Sequence, residues 1–268
     1  MKKIGYYYFV LLFAVLLSIL TGCSTDSPSD IDSKRDEKKE DIKPSDTVLS
    51  AADISLQKMK DWQVEYVNQN NLMNNSMIAH YSEQEGRLEE YGYSHSETQE
   101  EAALLDRYHE VYGWWYLMRE NMAVLDTQEY NDMQYSVVLT VGDEGCNGVH
   151  VVSYLTEDGQ ISIKESVSGE IPLSSGFYPN LKVMDDQDVF FGIIKKTRYD
   201  TVNDEQVPSG FAKIDMTFAD GTGESHSLSD NEPAILLFYS ETAKPVSCRL
   251  FGKQGEEIEN YQLESEVR

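Results

Sequence analysis

Gln134–Val141 reads QYSVVLTV and Gly148–Thr156 reads GVHVVSYLT. These two stretches decide the fold. Upstream of them apolar residues recur every three or four positions. From Gln134 onward they recur every second position, the spacing that lays one face of a strand on a core. Seven further runs follow: QISIKES (160–166), DVFFGIIKKTRY (188–199), FAKIDMTFA (211–219), SHSLSD (225–230), AILLFYS (234–240), VSCRLFG (246–252) and EIENYQL (257–263). Turn signals separate them at Gly142-Asp143-Glu144-Gly145, Glu157-Asp158-Gly159, Asp220-Gly221 and Lys253-Gln254-Gly255. Asp-Gly between alternating runs is a strong hairpin cue. About nine strands with no helix between them predict an antiparallel sandwich or open barrel over residues 129–268. Ser166–Asp188, with Pro172, Gly176, Pro179 and the acidic DDQD, reads as a crossing loop between sheets or small subdomains.

Working outward toward the N-terminus, residues 49–128 read as about three helices, so the fold class is α+β. Leu49, Ala52, Leu56, Met59 and Tyr66 share a 3–4 spacing that Gln63 interrupts. Leu72–Tyr91 places Met73, Met77, Ile78, Tyr81 and Leu88 on one face, with Gly92 as the stop. Ser96-Glu97-Thr98-Gln99 reads as a capping box for a third helix. On that helix Leu104, Tyr108, Val111, Trp115, Met118, Met122 and Leu125 alternate steps of four and three. Within it, YGWWY packs Tyr112, Trp114, Trp115 and Tyr116 together. Trp115 falls on the seam and reads as core. Trp114 and Tyr116 flank it, and either one, if exposed, marks a contact surface.

Two segments precede the helices. Lys2 and Lys3 lead into an uncharged, largely apolar run, Ile4–Leu20, with the pattern of a secretory signal peptide. Leu20-Thr21-Gly22-Cys23 then resembles the lipobox of bacterial lipoproteins. The resemblance covers only these first two dozen residues. It implies that Cys23 receives a diacylglyceryl group, that a peptidase removes residues 1–22, and that the chain is lipid-anchored in the cell membrane, facing away from the cytoplasm. The alternative is an uncleaved anchor helix, for which the run is near the lower length limit. Ser24–Thr47 is rich in Asp, Glu, Lys, Ser and Pro and almost free of apolar residues. It cannot bury enough surface to offset chain ordering, and residues 23–48 therefore read as the lipidated Cys and a disordered linker.

The chain carries a formal charge of −25. Loss of residues 1–22 removes two lysines and no acid. So acidic a body disfavours nucleic acid as a partner, and its contact with the membrane rests on the lipid anchor. Divalent cations and basic partners match the charge, though acidic surfaces commonly serve solubility.

No motif names a reaction or a cofactor. GxSxG, HExxH, a P-loop, GxGxxG and CxxC are all missing from the sequence. The five histidines, His80, His95, His109, His150 and His226, stand at no recognised metal spacing and read as surface or half-buried. A catalytic triad assembled in space stays open. Acidic clusters at Asp185, Asp186 and Asp188 and at Asp230 and Glu232 do not follow the twelve-residue calcium-loop spacing. Besides Cys23 the chain has Cys146 and Cys248, a candidate disulfide in an exported protein. These readings favour a non-catalytic, membrane-tethered module that binds a protein or an envelope component. An envelope- or glycan-directed hydrolase is the alternative. A solute-binding lipoprotein is a third, disfavoured by the lack of alternating strands and helices.

Overall fold

The computed structural model describes residues 49–93, 97–142, 147–172, 174–240 and 242–263. The chain divides into two units, 1–47 and 48–268. Every described residue belongs to the second. The apolar N-terminal run, the box around Cys23 and the acidic linker lie outside the described residues.

Short helices open the unit: α1 (Ala51–Lys58), α2 (Asp61–Gln69), α3 (Ser76–His80), α4 (Arg87–Glu90) and α5 (Gln99–Tyr112). The first expected helix is thus two helices, broken where Met59 and Lys60 adopt extended backbone. The second is also divided. A 3-10 turn at Tyr81–Gln84 and a left-handed Gly86 separate α3 from α4, and Gly92 ends the segment with φ 82°. α5 is capped at Thr98 and Glu101, two residues beyond the expected box, with both reciprocal bonds made.

The third helix stops at Gly113, well short of Leu125. A Cβ at Gly113 would stand 2.3 Å from the His109 carbonyl oxygen, so glycine fits where the chain leaves the helix in extended backbone. Met122–Tyr130 is strand β1. Its start lies inside the segment read as helical. Met122 and Val124 face one cluster, Ala123 and Leu125 another, and this two-residue period replaces the continued seam.

β1, β2 (Met133–Thr140), β3 (Gly148–Glu157) and β4 (Gln160–Gly169) form an antiparallel sheet in chain order. A three-stranded sheet has β11 (Ala234–Tyr239), β6 (Gln187–Ile193) and β5 (Asn180–Met184). A third sheet runs β10 (Gly223–Ser227), β9 (Phe211–Phe218), β12 (Pro245–Gly252) and β13 (Glu257–Gln262). β7 (Thr197–Asp200) and β8 (Glu205–Pro208) make a separate hairpin. None of these sheets closes into a barrel, and the arrangement is sandwich-like. The expected crossing loop contains the end of β4, all of β5 and the start of β6; of its DDQD, Asp185-Asp186 is the tight β5–β6 turn, and Gln187 and Asp188 open β6. Asp185 and Asp186 both take positive φ there, as do Asn131 and Asp132 between β1 and β2. Two central residues with φ > 0 match the right-handed twist of the flanking strands.

The core clusters reveal a layered order. Val137, Leu139, Val149 and Val151 of the first sheet pack with Val189, Phe191, Ala234 and Leu236 of the three-stranded sheet. The latter's other face, with Leu181, Phe190 and Ile235, meets Ile214, Met216, Cys248 and Leu250 of the third sheet. On the first sheet's opposite face, Val138, Val152 and Tyr154 take Leu104, Leu105 and Tyr108 of α5. The three-stranded sheet is therefore enclosed on both sides, and all seven residues of β6 are buried. α1, α2 and α3 pack around Met59, Val67, Ile78, Tyr81 and Met118, while Leu88 of α4 joins the cluster between the first and the three-stranded sheet.

Candidate functional site

The end of α5 and the turn after it bring two exposed aromatic residues, Tyr112 and Trp114, close together, while Tyr66, Tyr178 and Tyr199 are exposed elsewhere. Val111 and Tyr112 close the helix at 45% and 43% exposure, and Trp114 follows at 39%. Val111, expected on the buried seam, faces solvent because the seam ends with the helix. The Trp114 ring stacks on Tyr116 at 6.4 Å with 17° between planes. Tyr116 is half-buried and packs against the α5–sheet cluster. Trp115 meets Tyr116 edge-on at 5.1 Å and packs with the helical cluster. Trp115, expected as a core residue of the helix seam, is half-buried in the turn beyond the helix; Trp114 is the exposed ring, and Tyr116 lies between the two.

The turn is pinned from below by Gln63, the residue that interrupts the apolar spacing of α2. Gln63 is fully buried, and its Nε2 donates to the carbonyls of Trp115 at 2.7 Å and Leu117 at 3.1 Å. The Tyr81 hydroxyl donates to Gln63 Oε1 at 3.3 Å. Arg119 anchors the far side with bonds to Glu97 at 2.6 Å, Asp106 at 2.9 Å and the Ala102 carbonyl at 3.3 Å. Large rings held on a fixed backbone lose little entropy on contact, which is why Trp and Tyr dominate interface hot spots.

Two histidines read as surface or half-buried are in fact enclosed. His109 on α5 donates from Nε2 to the Leu117 carbonyl at 2.7 Å, since a carbonyl can only accept. Its ring meets Trp62 edge-on at 4.9 Å. Burial lowers its pKa to about 4, and nearby Arg119 and Lys60 act in the same direction. His150 on β3 lies with Nδ1 2.9 Å from Ser168 Oγ and Nε2 3.1 Å from Thr140 Oγ1. Burial brings it to about 4 as well. The serine, the imidazole and the threonine form a row across β4, β3 and β2. The third member is a hydroxyl where a hydrolytic triad has a carboxylate to hold the imidazolium. A base near 4 also has little drive to take a serine proton at neutral pH. The row's evident role is to satisfy a buried ring. His80 and His226 pair instead with Glu83 and Glu224, and His95 lies outside the described residues.

The acidic clusters make local structure. Asp185 accepts from the Tyr135 hydroxyl at 3.0 Å, Asp230 pairs with Lys253, and Glu232 accepts from the Ser229 amide. Among the described residues no group of three His, Cys, Asp or Glu could hold a metal ion, and no helix is long and apolar enough to cross a membrane. Cys248 is a buried free thiol whose pKa burial pushes up to about 12. Cys146, its candidate partner, lies outside the described residues. A groove of about 830 Å³ opens where β4, β5 and β13, each an edge strand of its sheet, come together. Ser168, Glu170, Tyr178, Lys182 and Gln262 line it, and Asn180 bridges its floor with bonds to both backbone groups of Glu170. No family model, curated protein or solved structure matches the chain.

Proposed function

We propose that this is a membrane-tethered, extracytoplasmic lipoprotein whose folded body is a non-catalytic interaction module for a protein or envelope partner. Leu20-Thr21-Gly22-Cys23, placed directly after the apolar run, is the observation that carries the reading. Two acyl chains on Cys23 hold a protein on a bilayer where one is marginal. The acidic segment 24–47, almost free of apolar residues, separates Cys23 from the folded body along the chain. The contact surface is the aromatic end of α5, with Val111, Tyr112 and Trp114 outermost and Tyr116 behind them. Its support is exposed apolar area on a backbone pinned by Gln63 and Arg119.

The tether is tested by fractionating cells that produce wild type or Cys23→Ala. Wild type stays in the membrane fraction with residues 1–22 removed. The variant keeps its leader, or is shed. A variant processed and retained like wild type contradicts the proposal. The surface is tested in cells by crosslinking from position 114. A photo-reactive residue there should give defined adducts, lost on Tyr112→Ser, with the fold intact by circular dichroism. Crosslinking no different from that at an exposed control position, Val202, places the contact elsewhere.

A further inference from the structure

His109 and His150 are buried on two sides of α5, His109 against the turn after the helix and α2, His150 in the β1–β4 sheet beneath the helix, so that displacement of α5 would hydrate both. His109 belongs to α5 itself and is buried by the turn 113–119 and by Trp62 of α2. His150 belongs to the sheet, and the ring that covers it from the helix is Tyr108, at 5.6 Å between centroids. We propose that the helical layer is an acid-sensitive cover: protonation of His109 and His150 releases α5 and bares the sheet face of Val138, Val152 and Tyr154.

The charges around the two rings favour this direction. Facing His109 are Arg119 and Lys60, both cations, with Glu120 the one opposing carboxylate. Facing His150 are Thr140 from β2, Ser168 from β4 and Tyr108 from α5, the last kept neutral by burial, which pushes its pKa up to about 12. A proton on either ring thus creates a buried cation with no carboxylate in hydrogen-bond contact, which is costly in a low-dielectric interior. Release of α5 returns both imidazoles to water. The enclosed three-stranded sheet has no histidine and does not share the trigger.

The tryptophans report the event, since the chain's three, Trp62, Trp114 and Trp115, all lie in the helical layer. The experiment acidifies the full chain in detergent from pH 7 to pH 3, following tryptophan emission and the far-ultraviolet signal of the sheets. Emission should shift to longer wavelength at least half a pH unit above the loss of sheet signal. In His109→Gln/His150→Gln, where each amide can keep a bond of the ring it replaces, that early shift should vanish or move at least one pH unit lower. Coincident transitions in wild type, or a double variant that titrates like wild type, overturn the proposal. If the double variant fails to fold, hydrogen exchange on wild type decides. α5 amides should lose protection at higher pH than those of β6 and β11, and loss at one common pH overturns the proposal.

Discussion

Gln63 and Trp115 carry much of the reading at the scale of single residues. Gln63→Leu keeps the volume but leaves the Trp115 carbonyl without its donor, at a cost of about 1–3 kcal/mol. Urea denaturation checks this, and an unchanged midpoint would show that the turn is not pinned from below. Trp115→Ala removes a ring packed on the helical cluster and should cost about 2–3 kcal/mol, somewhat less than full burial would imply. Trp114→Ala, at an exposed ring, should stay within about 1 kcal/mol. A larger loss at Trp114 than at Trp115 in thermal melts would reverse the two assignments. The difference between these neighbours was legible, because one lies on the apolar spacing and the other beside it. The burial of His109 was not. Its acceptor is the Leu117 carbonyl, which faces it only because the chain turns at Gly113, and an apolar spacing carried on through Leu125 hides that turn.

Among the secondary-structure elements, the alternating runs were the most legible and the helix ends the least. Runs such as FAKIDMTF alternate because one face of β9 meets the core while the other is half-buried. β5 escaped notice because only five residues of it stand between Pro179 and an acidic turn. β1 escaped because its apolar residues extend the helical spacing by coincidence. Two substitutions test the assigned ends. Thr98→Ala removes the α5 cap and should cost about 1 kcal/mol. Asp132→Gly places glycine where φ is 61° in the β1–β2 turn and should stabilise by about 0.5–1 kcal/mol. Differential scanning calorimetry checks both, and destabilisation by Asp132→Gly would mean that the turn is misassigned.

For the molecule as a whole, the packing of helices on one sheet and of three sheets on one another explains why QYSVVLTV and DVFFGII are so continuously apolar. Strands enclosed on both faces need apolar residues at nearly every position. The sequence showed that these are strands, but periodicity alone does not separate one buried face from two. The buried histidines also tie stability to pH. Their folded pKa values lie near 4, below the ordinary 6.5, so the unfolded chain binds more protons between those values. Stability from this source is complete above pH 6.5, falls as pH drops toward 4, and then levels off. By pH 5 the loss is on the order of 2 kcal/mol per histidine. Urea midpoints at pH 7 and pH 5 in wild type and in the double glutamine variant measure it, and an equal drop in both would assign the effect to carboxylates.

The proposed function stands most directly on Cys23. Mass spectrometry of the N-terminal peptide from membrane-extracted protein is the decisive measurement. Lipidation at this position gives a peptide that begins at Cys23 and carries a thioether-linked diacylglyceryl group. A peptide that retains Met1–Gly22, with an unmodified Cys23, would contradict it and leave an uncleaved apolar anchor in place of the lipid.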